Sequence, residues 1–262
     1  YEAGLITYMR TDSVNLSKEA LEGCKKYIVK TYGENYHKQR SYTKNGKNAQ
    51  EAHEAIRPTN ISVNYFDKIG NDGKRLYNLI WKRTVASQMS DAIIKIQTIK
   101  VDILDKNKSI LPKGTFYSNN FETILFDGYL VLYNNKSDSE EDNENGLIDI
   151  KENVELKFDT VKVTGEYTKP PLRYNEPNLI KTLEKNGIGR PSTYASIMSK
   201  IVDRNYVEIK DIEGVKKESE QFTIDKKSIV DDEKILKMVK QINIGTENKK
   251  IVPTDIGYKV ND

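Results

Sequence analysis

The sequence predicts an α+β, multidomain chain: a helical domain over 1–94, a β-rich segment over 95–166 and a second helical domain over 167–262. Three observations carry this division. Apolar residues recur at helical spacing up to about residue 90. From Ile94 the period falls to two, which marks strands. After Lys169-Pro170-Pro171 the helical spacing returns and a β-hairpin pattern follows, the order of a winged helix-turn-helix element.

In order along the chain, Leu5, Ile6 and Thr7 read as a short buried strand running into the polar cluster Arg10, Thr11, Asp12 and Ser13. Asn15 or Ser17 caps a helix with apolar positions Ala20, Leu21, Cys24, Tyr27 and Ile28, and Gly33 stops it. Residues 35–50 are basic and turn-rich, an exposed loop. His53, Ile56 and Arg57 stand at i, i+3 and i+4, so one helical turn ended by Pro58 places them on one face. Residues 73–95 read as an amphipathic helix presenting Leu76, Leu79, Ile80, Arg83, Thr84 and Met89, with Tyr77 and Trp81 alongside, to the first helix.

Alternation from Ile96 through Phe116 and Phe126 to Val131 predicts three or four antiparallel strands, with further β segments between 147 and 168. The acidic run 136–146 reads as a disordered surface loop, and its carboxylates lack the spacing of a calcium loop. Asn178–Lys185 forms a helix stopped by Gly187, and 194–204 forms a second with Tyr194, Ile197, Met198 and Ile201 inward. Tyr206–Ile209, a turn at Glu213-Gly214 and a returning strand complete the hairpin. Pro253-Thr254 starts the last helix.

At 262 residues the chain is long enough for a sizeable core. Its net charge of +3 neither demands nor excludes nucleic acid, but the charge is polarised. Residues 1–90 carry 15 Lys/Arg against 9 Asp/Glu, whereas 134–157 carry 3 against 8. The single cysteine, Cys24, excludes an internal disulfide and a cysteine-based zinc site, and its place on an apolar stripe marks a packed thiol. No apolar run approaches a membrane span and no signal peptide is visible, which fits a reducing, cytoplasmic setting. The chain starts without Met in the middle of a structural pattern and reads as a fragment of a longer protein.

Three blocks carry chemistry. In the first, Tyr8 lies two residues from Arg10. A phenol beside a guanidinium can attack phosphorus, with the arginine stabilising phenolate and phosphoryl charge. A free phenol titrates near ~10, so such a nucleophile needs positive charge nearby. The alternative is a core tyrosine followed by an ordinary helix cap. In the second block, His53 and Arg57 can hold a phosphate between imidazole and guanidinium, or His53 is structural. His37 is the only other histidine, so no metal-ligand spacing is present. The third block places Arg190, Ser192 and Thr193 at a helix N-terminus, where unpaired N–H groups bind phosphate, or where Ser and Thr merely cap. Arg204 at the far end contacts a phosphate or favours the helix C-terminus. Phosphate-binding groups on distant segments point to a polynucleotide substrate.

The blocks Gly4-Leu-Ile-Thr-Tyr8-Met-Arg10-Thr-Asp-Ser13, Ala52-His53-Glu-Ala-Ile-Arg57-Pro-Thr59 and Gly187-Ile-Gly-Arg190-Pro-Ser-Thr-Tyr194 resemble the signatures of type IA DNA topoisomerases. Residues 76–89 and Ile251-Val-Pro-Thr-x-x-Gly257 are also similar to that family, so the resemblance runs the length of the chain in order. Met9, Glu54 and Arg57 look more like the bacterial topoisomerase I branch than like topoisomerase III.

The resemblance implies a core of three parts: a catalytic-tyrosine domain, one segment of a β-rich arch and a helical domain that binds single-stranded DNA. It implies Tyr8 as the nucleophile that forms a 5′-phosphotyrosyl bond and frees a 3′-OH, Arg10 as the arginine holding the scissile phosphate, and His53 as the active-site-region histidine. Arg57, Arg190, Ser192, Thr193 and Arg204 are the expected DNA-binding residues. The implied substrate is single-stranded or negatively supercoiled DNA, handled by a monomer associated with the nucleoid. The implied cofactor, Mg²⁺, is held by an N-terminal Toprim domain that this chain lacks, as it lacks the C-terminal DNA-binding repeats. No Walker-type loop is present, in keeping with an ATP-independent isomerase. Residues 1–262 alone are therefore expected not to relax DNA. Two alternatives stay open: a topoisomerase III-like decatenase, or a non-catalytic single-stranded nucleic-acid-binding module.

Overall fold

Serine 17 caps the first helix, its Oγ accepting from the Ala20 N–H at 3.3 Å. The helix α1 (Lys18–Tyr32) buries Ala20, Cys24 and Ile28 on one stripe and ends at Gly33, whose φ of +103° a side chain would resist. The computed structural model describes residues 1–42, 53–66, 69–102, 115–133, 148–225 and 235–261, and the chain forms two units, 1–151 and 152–262. The acidic run 136–146 and the second half of the basic loop, 43–50, lie outside the described residues. Among the described residues no helix is long and apolar enough to cross a membrane.

In the first unit, α2 (Asn71–Ser87) turns a different face inward from the one its leucines suggest. Tyr77, Trp81, Thr84 and Val85 are buried, whereas Leu76 and Leu79 are 56% and 60% exposed. The aromatics cover more area and their polar tips find partners: Trp81 Nε1 donates to the Ile61 carbonyl at 2.8 Å and Tyr77 Oη to the Val63 carbonyl at 2.7 Å. Together with Cys24, Ile28, Ile61, Val85, Met89 and Leu132 they make the core. The helix stops at Ser87 and does not run on to 95. The buried Gln88 instead bonds the main chain of Arg40 on both sides, accepting from N at 3.0 Å and donating to O at 3.2 Å.

The strands β1 (Ile93–Asp102) and β2 (Phe116–Phe126) pair antiparallel, from Ile94 opposite Ile124 to Asp102 opposite Phe116. Tyr129 and Val131 belong to a 3₁₀ turn over Gly128–Leu132 and not to a strand, so this unit has two described strands where three or four were expected.

The second unit runs β3 (Thr160–Thr164), α3 (Glu176–Lys185), α4 (Tyr194–Asp203), β4 (Val207–Ile212), β5 (Val215–Asp225), β6 (Leu236–Ile244), β7 (Glu247–Pro253) and α5 (Asp255–Asn261). Val154, Leu156 and Phe158 lie outside any strand. The expected winged hairpin does not form. β4 does not return as β5; it pairs with β7, while β5 joins β3 and β6 in another sheet. Alternation identifies a strand but not its partner. At the corner, Gly214 sits so close to the Ile244 carbonyl and Asn243 that a side chain there would collide, and the chain changes sheet instead of folding back.

Candidate active site and nucleic-acid interface

Main-chain bonding fixes the Tyr8 segment against the His53 block. Ile6 and Pro58 form an isolated antiparallel bridge, with Thr7 N donating to Arg57 O at 2.9 Å and Thr59 N to Leu5 O at 3.0 Å. The expected helical turn at 53–57 is therefore not formed. Ala55 N bonds Asn15 O at 2.8 Å and Arg57 N bonds the Thr7 hydroxyl at 3.0 Å, so these amides have partners outside a helix. Tyr8, 38% exposed, holds its ring 5.4 Å from the His53 ring at 32°, and 5.4 Å from the Tyr1 ring, edge-on at 71°. Arg10 is exposed and makes no hydrogen bond or ion pair among the described residues, so its guanidinium is available to an incoming anion.

Arg57 is placed differently from the phosphate bracket that spacing suggested. Its Nε and Nη2 clasp Glu54 at 3.2 and 2.9 Å, Nη1 donates to Pro58 O at 3.0 Å, and its side chain is only 12% exposed. Glu54 Oε1 also accepts from Ser17 N at 2.6 Å. Burial works against the Glu54 carboxylate, but the bonds from Arg57 and Ser17 outweigh it and hold the group below its usual range. Sequence reasoning placed Thr7 in a strand, Ser17 at a helix cap and Glu54 in a family-like block but linked none of them to one another, because their partners lie 37 to 50 residues away with no period linking them.

In the second unit, α3 ends in a left-handed Gly187, φ +72°, with Ile188 N donating to Leu183 O and Gly187 N to Glu184 O, both hallmarks of a Schellman stop. Gly189, φ +78°, lies against the Tyr194 ring and Ile197, where a Cβ would approach to 2.9 Å. This turn delivers Arg190, Ser192 and Thr193 to the start of α4. The Arg190 Nη1 folds back onto the Gly189 carbonyl at 2.6 Å, and the Thr193 hydroxyl both accepts from Arg190 N (2.8 Å) and donates to Arg190 O (3.1 Å). Thr193 thus braces the loop, while the exposed Ser192 hydroxyl makes no bond among the described residues. Arg204 caps the other end of α4, exposed, followed by Asn205 at φ 54°. The ten residues of α4 make a helix about 15 Å long at 1.5 Å per residue, with Arg190 in the turn before it and Arg204 at its far end. The groove between α3, α4 and β4 is lined by Ile180, Met198, Val202 and Ile209 with Glu176 and Asp203, a chemistry unsuited to phosphate.

A family model described as DNA topoisomerase matches residues 1–224. The chain belongs to the DNA topoisomerase family. It is 40% identical, over its whole length, to a protein of Acanthamoeba polyphaga mimivirus named DNA topoisomerase 1 type prokaryotic. DNA topoisomerase 1 of Rickettsia conorii is 46% identical over 78% of this chain, and that of Helicobacter pylori (strain ATCC 700392 / 26695) 43% over 79%. The full-length topoisomerase I structure from Thermotoga maritima superposes with a TM-score of 0.56 and 31% identity over 78% of this chain. This chain spans 32% of the mimiviral relative, 26% of the Rickettsia one and 31% of the Thermotoga structure. The expected kinship with the bacterial topoisomerase I branch, and the mixed helix-and-sheet fold, are thereby borne out.

Proposed function

We propose that this chain carries the nucleophile and part of the single-strand-binding surface of an ATP-independent type IA DNA topoisomerase that relaxes negative supercoils. One observation carries the reading: an exposed phenol and an imidazole, drawn from distant blocks, are held with rings 5.4 Å apart, and Arg10, two residues along the chain from the phenol, is exposed and makes no ion pair among the described residues. In the cleavage step Tyr8 Oη bonds to phosphorus, the bond from phosphorus to the 3′ oxygen breaks, and the phenol proton leaves as the 3′ oxygen gains one. Arg10 neutralises charge on the phosphoryl oxygens as they crowd. Religation runs the same exchange backwards. Because one phosphate ester replaces another, no ATP is consumed. Arg190 and Arg204 suit an extended ligand better than a single phosphate, since they mark opposite ends of α4. We assign the activity to a monomer acting on DNA in the cytoplasm, at the nucleoid.

Among the described residues no three His, Cys, Asp or Glu side chains gather to hold a metal ion. Mg²⁺ is the ion that the resemblance implies. We assign its binding to a separate acidic domain of the whole protein.

The test is Tyr8→Phe in the full-length protein. Wild type is expected to leave DNA covalently attached after denaturation, whereas the variant loses attachment and keeps non-covalent single-strand binding. Attachment that persists in the variant excludes Tyr8 as nucleophile. Binding without attachment in the wild type favours a non-catalytic binding module.

A further inference from the structure

The residue that precedes the nucleophile and the residue that follows the histidine are both tied into one cluster. Thr7 Oγ1 donates to Ala55 O at 2.8 Å and accepts from Arg57 N at 3.0 Å, so a single hydroxyl bridges two peptide units of the facing block. Glu54 accepts from Ser17 N and from two nitrogens of Arg57, and Arg57 closes the circle through Nη2 to Ser17 Oγ at 3.4 Å. Ala55 N adds a bond to Asn15 O. The His53 block is thus fastened on one side to the Tyr8 segment and on the other to the start of α1. His53 itself is exposed, with the Tyr8 ring as its described contact.

We infer that Thr7, Glu54 and Arg57 form a clamp that positions His53 over Tyr8, so that the two rings approach DNA as one preorganised unit. The inference rests on the reading of Tyr8 as nucleophile. Tyr8 and His53 have few contacts of their own, but each has a covalent neighbour whose side chain is bonded at several points. A threonine is the residue type that fits at position 7. Valine keeps the shape and loses both bonds, leaving the Ala55 carbonyl and Arg57 amide without that partner, whereas serine keeps them. A lysine at 57 loses the two-pronged grip on Glu54. The depressed titration of Glu54 agrees with an ionised, committed carboxylate.

The clamp is tested by a double-mutant cycle in the full-length protein, read as the rate of covalent DNA attachment. Glu54→Gln is nearly isosteric and is expected to lower the rate about tenfold when His53 is present, but less than about twofold in a His53→Ala background. Thr7→Val should lose about tenfold and Thr7→Ser should recover to within about threefold of wild type, with non-covalent binding of a single-stranded oligonucleotide unchanged in both. Losses that simply multiply in the cycle overturn the clamp, because a merely stabilising pair costs the same with or without His53.

A second measurement needs no turnover. The ring-current shifts of the His53 carbon-bound protons are expected to move toward exposed values in Glu54→Gln, and shifts that stay put overturn the proposal. Attachment by Tyr8→Phe would instead overturn the nucleophile assignment, so the two failures are told apart.

Discussion

Glu54 and Cys24 show how burial and charged partners set the titration of single side chains in opposite directions. Glu54 is a half-buried carboxylate held ionised by Arg57 and Ser17, below its ordinary value of 4.5. A carboxyl depressed in the folded state stabilises the fold above its unfolded pKa and loses that contribution as pH falls through the folded value. The thermal midpoint of wild type minus that of Glu54→Gln is therefore expected to be largest near about pH 7 and to shrink below about pH 4.5. A difference that is flat from neutral to acid refutes it. Cys24 behaves oppositely: burial pushes its thiol up to about 11, against a smaller pull from Arg57. Little thiolate forms at mild alkaline pH. Native protein is expected to react slowly with a disulfide reagent at pH 8, and denatured protein to react completely; fast native reaction shows that the thiol is reachable.

At the scale of elements, packing decides which face and which partner a segment uses. α2 could have buried its leucines, yet Tyr77 and Trp81 offer larger surfaces and satisfied polar tips. Trp81→Phe leaves the Ile61 carbonyl without its donor and opens space in the core, and is expected to cost about 1–3 kcal/mol by chemical denaturation. The motif ending at Gly257 has an equally local cause. A Cβ there would run into the Tyr206 carbonyl, and Gly257 N donates to Thr254 Oγ1 at 3.1 Å, so α5 starts tight against the beginning of β4. Gly257→Ala should destabilise the second unit by about 1–3 kcal/mol, read as a lowered thermal midpoint. An unchanged midpoint means that α5 relaxes away without loss.

Over the whole molecule, buried apolar side chains are distributed unequally between the two units. The main cluster lies within residues 24–132, whereas Met198 and Ile251 are the buried apolar side chains described in 152–262. The lone tryptophan, Trp81, reports on the first unit alone. Denaturant unfolding is therefore expected to show non-coincident transitions, with the far-ultraviolet signal falling before Trp81 fluorescence as the second unit opens first. Coincident curves indicate that the units unfold as one. Salt tests the DNA-binding assignment at the same scale. Arg190→Ala and Arg204→Ala should each reduce the slope of log affinity against log salt by about one, uniformly across sequences. A slope that does not change removes that arginine from the phosphate contacts.

By itself the sequence determined the places of α1, α3 and α4, the stops of α1 and α3, and the chemistry-bearing blocks. Capping residues, glycines and period act within a few positions, so α1, α3, the Gly187 turn and the Tyr8, His53 and Arg190 motifs were legible in it. Only the tertiary structure decided which face of α2 is buried, that β4 pairs with β7, that Thr193 braces its own loop, and that Arg57 grips Glu54. Each of these depends on competition between partners distant in sequence, settled by burial and hydrogen-bond geometry that no local spacing records.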